Sequence, residues 1–260
     1  MMLRLNNVTI KYGPAIAVRG ASLEVGSSET VALIGPNGAG KTTIALAIAG
    51  LLRPSSGEIE VRTPGRLRSL IGEPAWAVAR SGIAYVPEKK SVFERLSVEE
   101  NLMVAFAAVP VRGARVRADL LSRIYEEFPL LRERVAQHAG TLSGGQRKML
   151  AIARALLFVR VAKAECGARS GDFSLIMIDE PTSGLHPSAV RMVHDVIGRL
   201  NESGLAVLII EQVAAFALGL STRSYLMRGG EIVASGQSGE MLSNPNLSGL
   251  YLGLPPRAHE

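Results

Sequence analysis

Cysteine is nearly missing from this sequence: Cys166 is the only one among 260 residues. A single thiol excludes an intrachain disulfide framework and any cysteine-based metal site. Long apolar runs are missing too. The longest, Leu102–Val111, Ala206–Ile210 and Val213–Leu220, fall well short of the roughly 20 residues that a membrane-spanning helix needs. Met1–Asn6 contains no apolar core of signal-peptide length. If the protein works at a membrane, a partner must bring it there. No block of five or more basic residues occurs, although the net charge is +6. The positives fall in small groups, Arg66 with Arg68 and Arg112 with Arg115 and Arg117. Scattered charge reads as a solvated basic surface, so no nucleic-acid partner is expected. His138, His186, His194 and His259 lack metal-ligand spacing.

What is present is ample apolar material. Hydrophobic residues make up 47% of the chain and charged residues 20%, which fits one large folded α/β domain. Val8–Tyr12 and Ala21–Val25 alternate apolar and polar residues around the turn residues Gly13 and Pro14, as half-buried strands do. Thr30–Ile34, Leu175–Ile178 and Leu205–Ile210 are short, almost wholly apolar runs, as in buried parallel strands. Gly57–Val61 and Ile83–Pro87 read as further strands, and Tyr225–Val233 as a hairpin around Gly229-Gly230. Between them lie helical stretches: Thr42–Gly50, a segment opened by the capping box Ser97-Val98-Glu99-Glu100, Arg115–Glu127 halted at Pro129, Gln146–Val159, and Ser188–Asn201. Strands alternating with helices predict a parallel sheet covered on both faces, with a mostly helical insertion over about 97–160. Leu156–Ser174 is polar and long, and is expected to be a surface loop.

Three motifs carry chemistry. Gly35-Pro36-Asn37-Gly38-Ala39-Gly40-Lys41-Thr42 follows a buried strand and opens a helix. Its glycines let backbone amides converge on crowded phosphate oxygens, and the helix N-terminus adds partial positive charge. Lys41 supplies a full charge, and Thr42 a hydroxyl for Mg²⁺, with Thr43 beside it. Asp179-Glu180 ends an apolar strand, placing carboxylates at the sheet edge where α/β folds bind ligands. Asp179 can hold Mg²⁺ and Glu180 can act as a general base. The third motif, Ser143-Gly144-Gly145-Gln146, opens another helix, with Ser143 as cap and the glycines baring amides: a second anion site. One γ-phosphate does not need two such sites in one chain, which suggests that two chains share each nucleotide. Arg147 and Lys148 are expected to face solvent or the partner chain.

In that order, the phosphate loop, Leu142-Ser143-Gly144-Gly145-Gln146 and Leu175-Ile176-Met177-Ile178-Asp179-Glu180-Pro181 resemble the nucleotide-binding subunit of an ATP-binding cassette (ABC) transporter over nearly the whole chain. The resemblance implies a phosphate-loop NTPase core, an N-terminal antiparallel β subdomain and an inserted helical subdomain, as one domain over 1–254 with a tail at 255–260. It also implies ATP and Mg²⁺ as ligands, Tyr12 stacking on adenine, and Thr182–His186 as a loop crossing to a second ATPase subunit. The bland alternative for this tyrosine is packing on the core from its strand. Two positions depart from the general pattern. Glu88 stands where the family usually has glutamine, a position that can also take part in metal binding. Gln212 replaces a switch histidine, and it cannot become cationic. Those departures, with Val92–Leu102, Glu127–Arg134 and Leu250-Tyr251-Leu252-Gly253, resemble one branch, the second ATPase subunit of branched-chain amino acid importers. Urea or amide importers and lipopolysaccharide exporters are the alternatives, and a soluble non-transport ABC ATPase a remoter one. The branch implies membrane permease partners, a homodimer or heterodimer of ATPase subunits, and a peripheral position on the cytoplasmic face of the bacterial inner membrane.

Overall fold

The computed structural model describes residues 2–63, 66–109, 113–166, 174–244 and 247–252. The tail at 255–260, Arg112, and residues 167–173 of the long polar segment lie outside them.

The chain begins with strands β1 (Leu3–Tyr12) and β2 (Ala15–Val25), an antiparallel pair joined at Gly13-Pro14. Strand β3 (Thr30–Ile34) leads through the glycine loop into helix α1 (Lys41–Ile48). Strands β4 (Ser56–Thr63) and β5 (Arg66–Ser69) add to the first pair in the order β2-β1-β4-β5. Helix α2 (Ala75–Arg80) and strand β6 (Ile83–Val86) precede the helical insertion: α3 (Val98–Ala108), α4 (Ala114–Glu127), α5 (Pro129–Arg132) and α6 (Gly144–Cys166). Strand β7 (Leu175–Asp179), helix α7 (Pro187–Glu202) and strand β8 (Ala206–Glu211) return to the core. Helix α8 (Ala214–Leu220), the hairpin β9 (Arg223–Arg228) and β10 (Glu231–Gln237), and helices α9 (Ser238–Ser243) and α10 (Leu247–Leu252) follow.

The second sheet has the order β10-β9-β3-β8-β7-β6 and is parallel except for the edge strand β10. Its three central strands are buried on both faces, and their side chains alternate between two cores as the two-residue period requires. Ala32, Ile34, Ile176, Ile178, Val207 and Ile209 join the helical insertion. Val31, Leu33, Leu175, Met177, Leu208 and Ile210 pack with α1 and the antiparallel sheet. The predicted capping box is present: Ser97 Oγ accepts from Glu100 N at 3.1 Å, and Ser97 N donates to Glu100 Oε2 at 2.7 Å. Pro129 halts α4 as expected but also occupies the first turn of α5, where its missing N–H costs nothing.

Over 156–166 the expected surface loop does not form. Residues 156–166 are the last turns of α6. Leu156, Leu157, Val159, Val161 and Ala162 are buried there, while Arg160 pairs with Glu127 at 2.7 Å. The buried residues fall on every side of these turns, so the helix end is embedded in the core, and Arg160 is a single charged position within it. Leu157→Ala is therefore expected to lower the unfolding free energy by about 2–5 kcal/mol in urea titration. A loss under about 0.5 kcal/mol is what a surface loop would give.

Candidate functional site

The carboxyl ends of the parallel strands converge on one cleft of about 450 Å³. Its lining includes Ala17, Asn37, Gly38, Ala39, Gly40, Lys41, Thr42 and Thr43 on one side, and Glu88, Lys89, Glu180, Ser183 and Gln212 on the other. The sheet order sets this meeting. β3 delivers the glycine loop, β8 lies beside it and delivers Gln212, and β7 beyond delivers Asp179 and Glu180.

Gly40 sits at the helix start with φ 102°, and a Cβ there would lie 2.7 Å from Ala17 O. Both the backbone conformation and the close approach of β2 demand glycine. The turn folds Lys41 back over the loop. Its Nζ donates to Gly35 O at 2.8 Å and Pro36 O at 3.1 Å and lies 3.7 Å from Glu180 Oε1. The side chain is 4% exposed, and burial pushes its ammonium below the ordinary lysine value, against the opposing pull of Glu180, Asp179 and Glu211.

Asp179 is buried, accepts from Tyr85 Oη at 2.9 Å through Oδ2, and has no hydrogen-bond partner at Oδ1. Burial raises its carboxyl above the usual range, although Tyr85, Thr42 and Lys41 favour the ionised form. Glu180 is raised as well, first by burial and then by its acidic neighbours Glu211, Glu88 and Asp179, with Lys41 opposing. Its φ of 45° puts it in the left-handed region, a conformation that costs about 1–3 kcal/mol and turns up at functional sites. Glu88 accepts from Ser183 Oγ at 3.2 Å, tying the start of the insertion to the loop after Glu180.

Sequence reasoning missed three groups here. Lys148 was expected to face outward. It is instead 5% exposed, with Nζ 3.4 Å from Asp179 O and the charges of Asp179, Glu88, Glu211 and Glu180 around it. Acids that arrive from other strands draw it inward, which no local pattern could indicate. Glu211 is buried and accepts from Thr182 N at 3.1 Å, Val213 N at 3.2 Å and the Thr182 hydroxyl. A carboxylate closing an apolar strand was the same signal that picked out Asp179. Tyr85 was read only as a strand residue.

Four carboxylates (Glu88, Asp179, Glu180, Glu211) thus face two buried lysines (Lys41, Lys148) and Lys89, 4.0 Å from Glu88, a formal balance of −1. That excess, the unpartnered Asp179 Oδ1 and the neighbouring Thr42 hydroxyl fit a divalent cation such as Mg²⁺. Among the described residues no group of three or more His, Cys, Asp or Glu could hold a metal alone. A cation that arrives with phosphate oxygens needs fewer protein ligands.

Two expected contributors stay away from the cleft. Tyr12 is 49% exposed at the end of β1, which rules out core packing, and Ala17 rather than Tyr12 lines the cleft on that side. Ser143, Gly144, Gly145 and Gln146 do not line it either. They form a reciprocal cap, Ser143 N to Gln146 Oε1 at 2.9 Å and Gln146 N to Ser143 Oγ at 3.3 Å. Gly145 is required by packing as well, since a Cβ would lie 2.5 Å from Ala189 Cβ on α7.

A buried strand, a glycine loop closing on a buried lysine, and a carboxylate-ended strand across the same sheet edge make this a phosphate-loop nucleotide-binding protein. The family model for ABC transporters matches residues 18–161. The high-affinity branched-chain amino acid transport ATP-binding protein BraG of Pseudomonas aeruginosa is 38% identical over 97% of this chain and 100% of its own length. The lipopolysaccharide export system ATP-binding protein LptB of Escherichia coli K12 is 34% identical over 96% of the chain and 97% of its own. A crystal structure of a nucleotide-free ATP-binding cassette from an ABC transporter superposes with a TM-score of 0.79 at 24% identity, covering 96% of this chain and 98% of that one. The chain belongs to the ABC transporter family, among its ATP-binding proteins.

With its carboxyl raised above the ordinary aspartate value, Asp179 favours the ligand-free fold when protonated. Its contribution is full below the unfolded pKa and is lost as pH rises through the folded one. Asp179→Asn is therefore expected to gain thermal stability relative to the native chain as pH rises across that window. A stability difference that is flat with pH would contradict the buried, raised carboxyl.

Proposed function

We propose that this chain is the ATP-hydrolysing subunit of an ABC importer for branched-chain amino acids. The observation that carries hydrolysis is Glu180 held 3.7 Å from Lys41 at the mouth of the phosphate loop. In this reading the amides of 35–43 and Lys41 bind the β- and γ-phosphates, and Tyr12, exposed at the end of β1, stacks on adenine. Glu180, made more basic by its burial, takes the proton of the attacking water at a carboxylate oxygen. Gln212 donates from its amide to a γ-phosphate oxygen and orients that water. Mg²⁺, held by Thr42 and Asp179 with Glu88 close by, would neutralise charge on the phosphate oxygens.

Ser143–Gln146 do not line the cleft of their own chain, which supports their serving the nucleotide of a second ATPase subunit. Closure of two such subunits over ATP follows if the nucleotide binds the closed state better than the open one. Residues 1–254 would act as one nucleotide-binding domain, with 97–160 its helical subdomain. Among the described residues no helix is long and apolar enough to cross a membrane. We place the chain peripherally, on permease subunits at the cytoplasmic face of the inner membrane. The likeness to BraG favours branched-chain amino acids as cargo, and the likeness to LptB supports lipopolysaccharide export as a second reading.

Glu180→Gln should still bind ATP while steady-state phosphate release falls by at least about 10²-fold. Near-normal turnover in this variant would remove Glu180 as the base. In cells lacking the gene, leucine uptake should be lost. Intact uptake with failed lipopolysaccharide export would favour the second reading.

A further inference from the structure

Gln212 follows the last residue of β8 and precedes α8, so no sheet or helix ladder holds its main chain. Two side chains do so instead. On one side, Gln212 N donates to Glu211 Oε2 at 2.5 Å, and Val213 N donates to the same oxygen at 3.2 Å. The other oxygen of Glu211 is taken by the N–H and hydroxyl of Thr182, two residues after Glu180. On the other side, Tyr251 Oη donates to Gln212 O at 2.5 Å. Tyr251 reaches there from α10, far along the chain, and its ring packs against the apolar core on the helical face of the sheet. The Gly35 main chain at the head of the phosphate loop meets the same phenol. Both polar groups of the Gln212 main chain are thus occupied, and its side chain lines the phosphate cleft.

We propose that Tyr251 is a positioning residue for Gln212, fixing from the C-terminal helix the aim of the side chain that meets the γ-phosphate. The inference rests on the hydrolytic role read above for Gln212. Its physical need follows from the residue type. A neutral amide has only hydrogen bonding to offer, and a hydrogen bond weakens steeply when its angle is poor. A cationic side chain attracts phosphate over a longer range and tolerates looser aim. A glutamine on an unladdered turn is therefore useful only if its backbone is held, and Glu211 with Tyr251 hold it at both ends.

Tyr251→Phe removes only the hydroxyl and keeps the packed ring. The variant is expected to lower kcat roughly three- to tenfold, the range of one hydrogen bond, with the KM for ATP within about twofold and the unfolding midpoint unchanged. In a Gln212→Ala background the same change should have no further effect on kcat, because the group it aims is gone. An unchanged kcat, or an equal further loss in that background, would overturn the proposal. Hydrogen exchange tests the contact without turnover: amides of 211–214 should exchange several-fold faster in Tyr251→Phe while those of β8 do not, and equal protection across 211–214 would also overturn it. A native chain that hydrolyses no ATP would sink the functional reading instead, and the exchange result would still decide whether Tyr251 holds the Gln212 peptide.

Discussion

A lysine ammonium taken out of water and placed over a loop of backbone is the constraint on which the rest of this site depends. Lys41 is almost fully buried with two carbonyls and one carboxylate as its company. Burying a cation is costly unless anions are near. The acids at the neighbouring strand ends meet that need and exceed it, and the second buried lysine, Lys148, only partly offsets them. What remains is a cluster with surplus negative charge beside a loop built to take negative phosphate. Neither half is comfortable alone, and a phosphate bound together with a divalent cation relieves both.

The sheet turns this chemistry into geometry. β6, β7, β8 and β3 run parallel, so their carboxyl ends lie along one edge. Glu88, Asp179 with Glu180, Glu211 with Gln212, and Gly35 all stand at or just past those ends. Strand order alone therefore assembles groups from four separate stretches of chain. The cap at Ser143–Gln146 opens α6, whose body packs in the core of the insertion, and it does not line the cleft at that edge.

Much of this was legible because it is local. Continuous apolar runs marked β3, β7 and β8, and the capping box marked α3, since period and cap chemistry need only neighbouring residues. The phosphate loop was readable because its glycines answer to a ligand and to the next turn of chain. What stayed hidden depends on distant contacts. Lys148 looks like an ordinary surface residue until β7 and the Glu88 segment are folded beside it. Gly145 read as an exposed amide, whereas Ala189 leaves no room for a side chain. The last turns of α6 resembled a loop because charged residues interrupt them in sequence, although their apolar residues are buried in the core and Arg160 is paired with Glu127. Tyr251 served as a branch marker, and its bond to Gln212 could be seen only once α10 was placed.

The central claim, that an anionic strand edge and a lysine-closed loop jointly await a metal-bound triphosphate, is tested most directly by phosphate release from the purified chain across a Mg²⁺ titration. The account predicts no release in EDTA, a saturable rise with Mg²⁺, and none at any Mg²⁺ concentration for Lys41→Ala. Release that is independent of Mg²⁺, or that survives in Lys41→Ala, would contradict it.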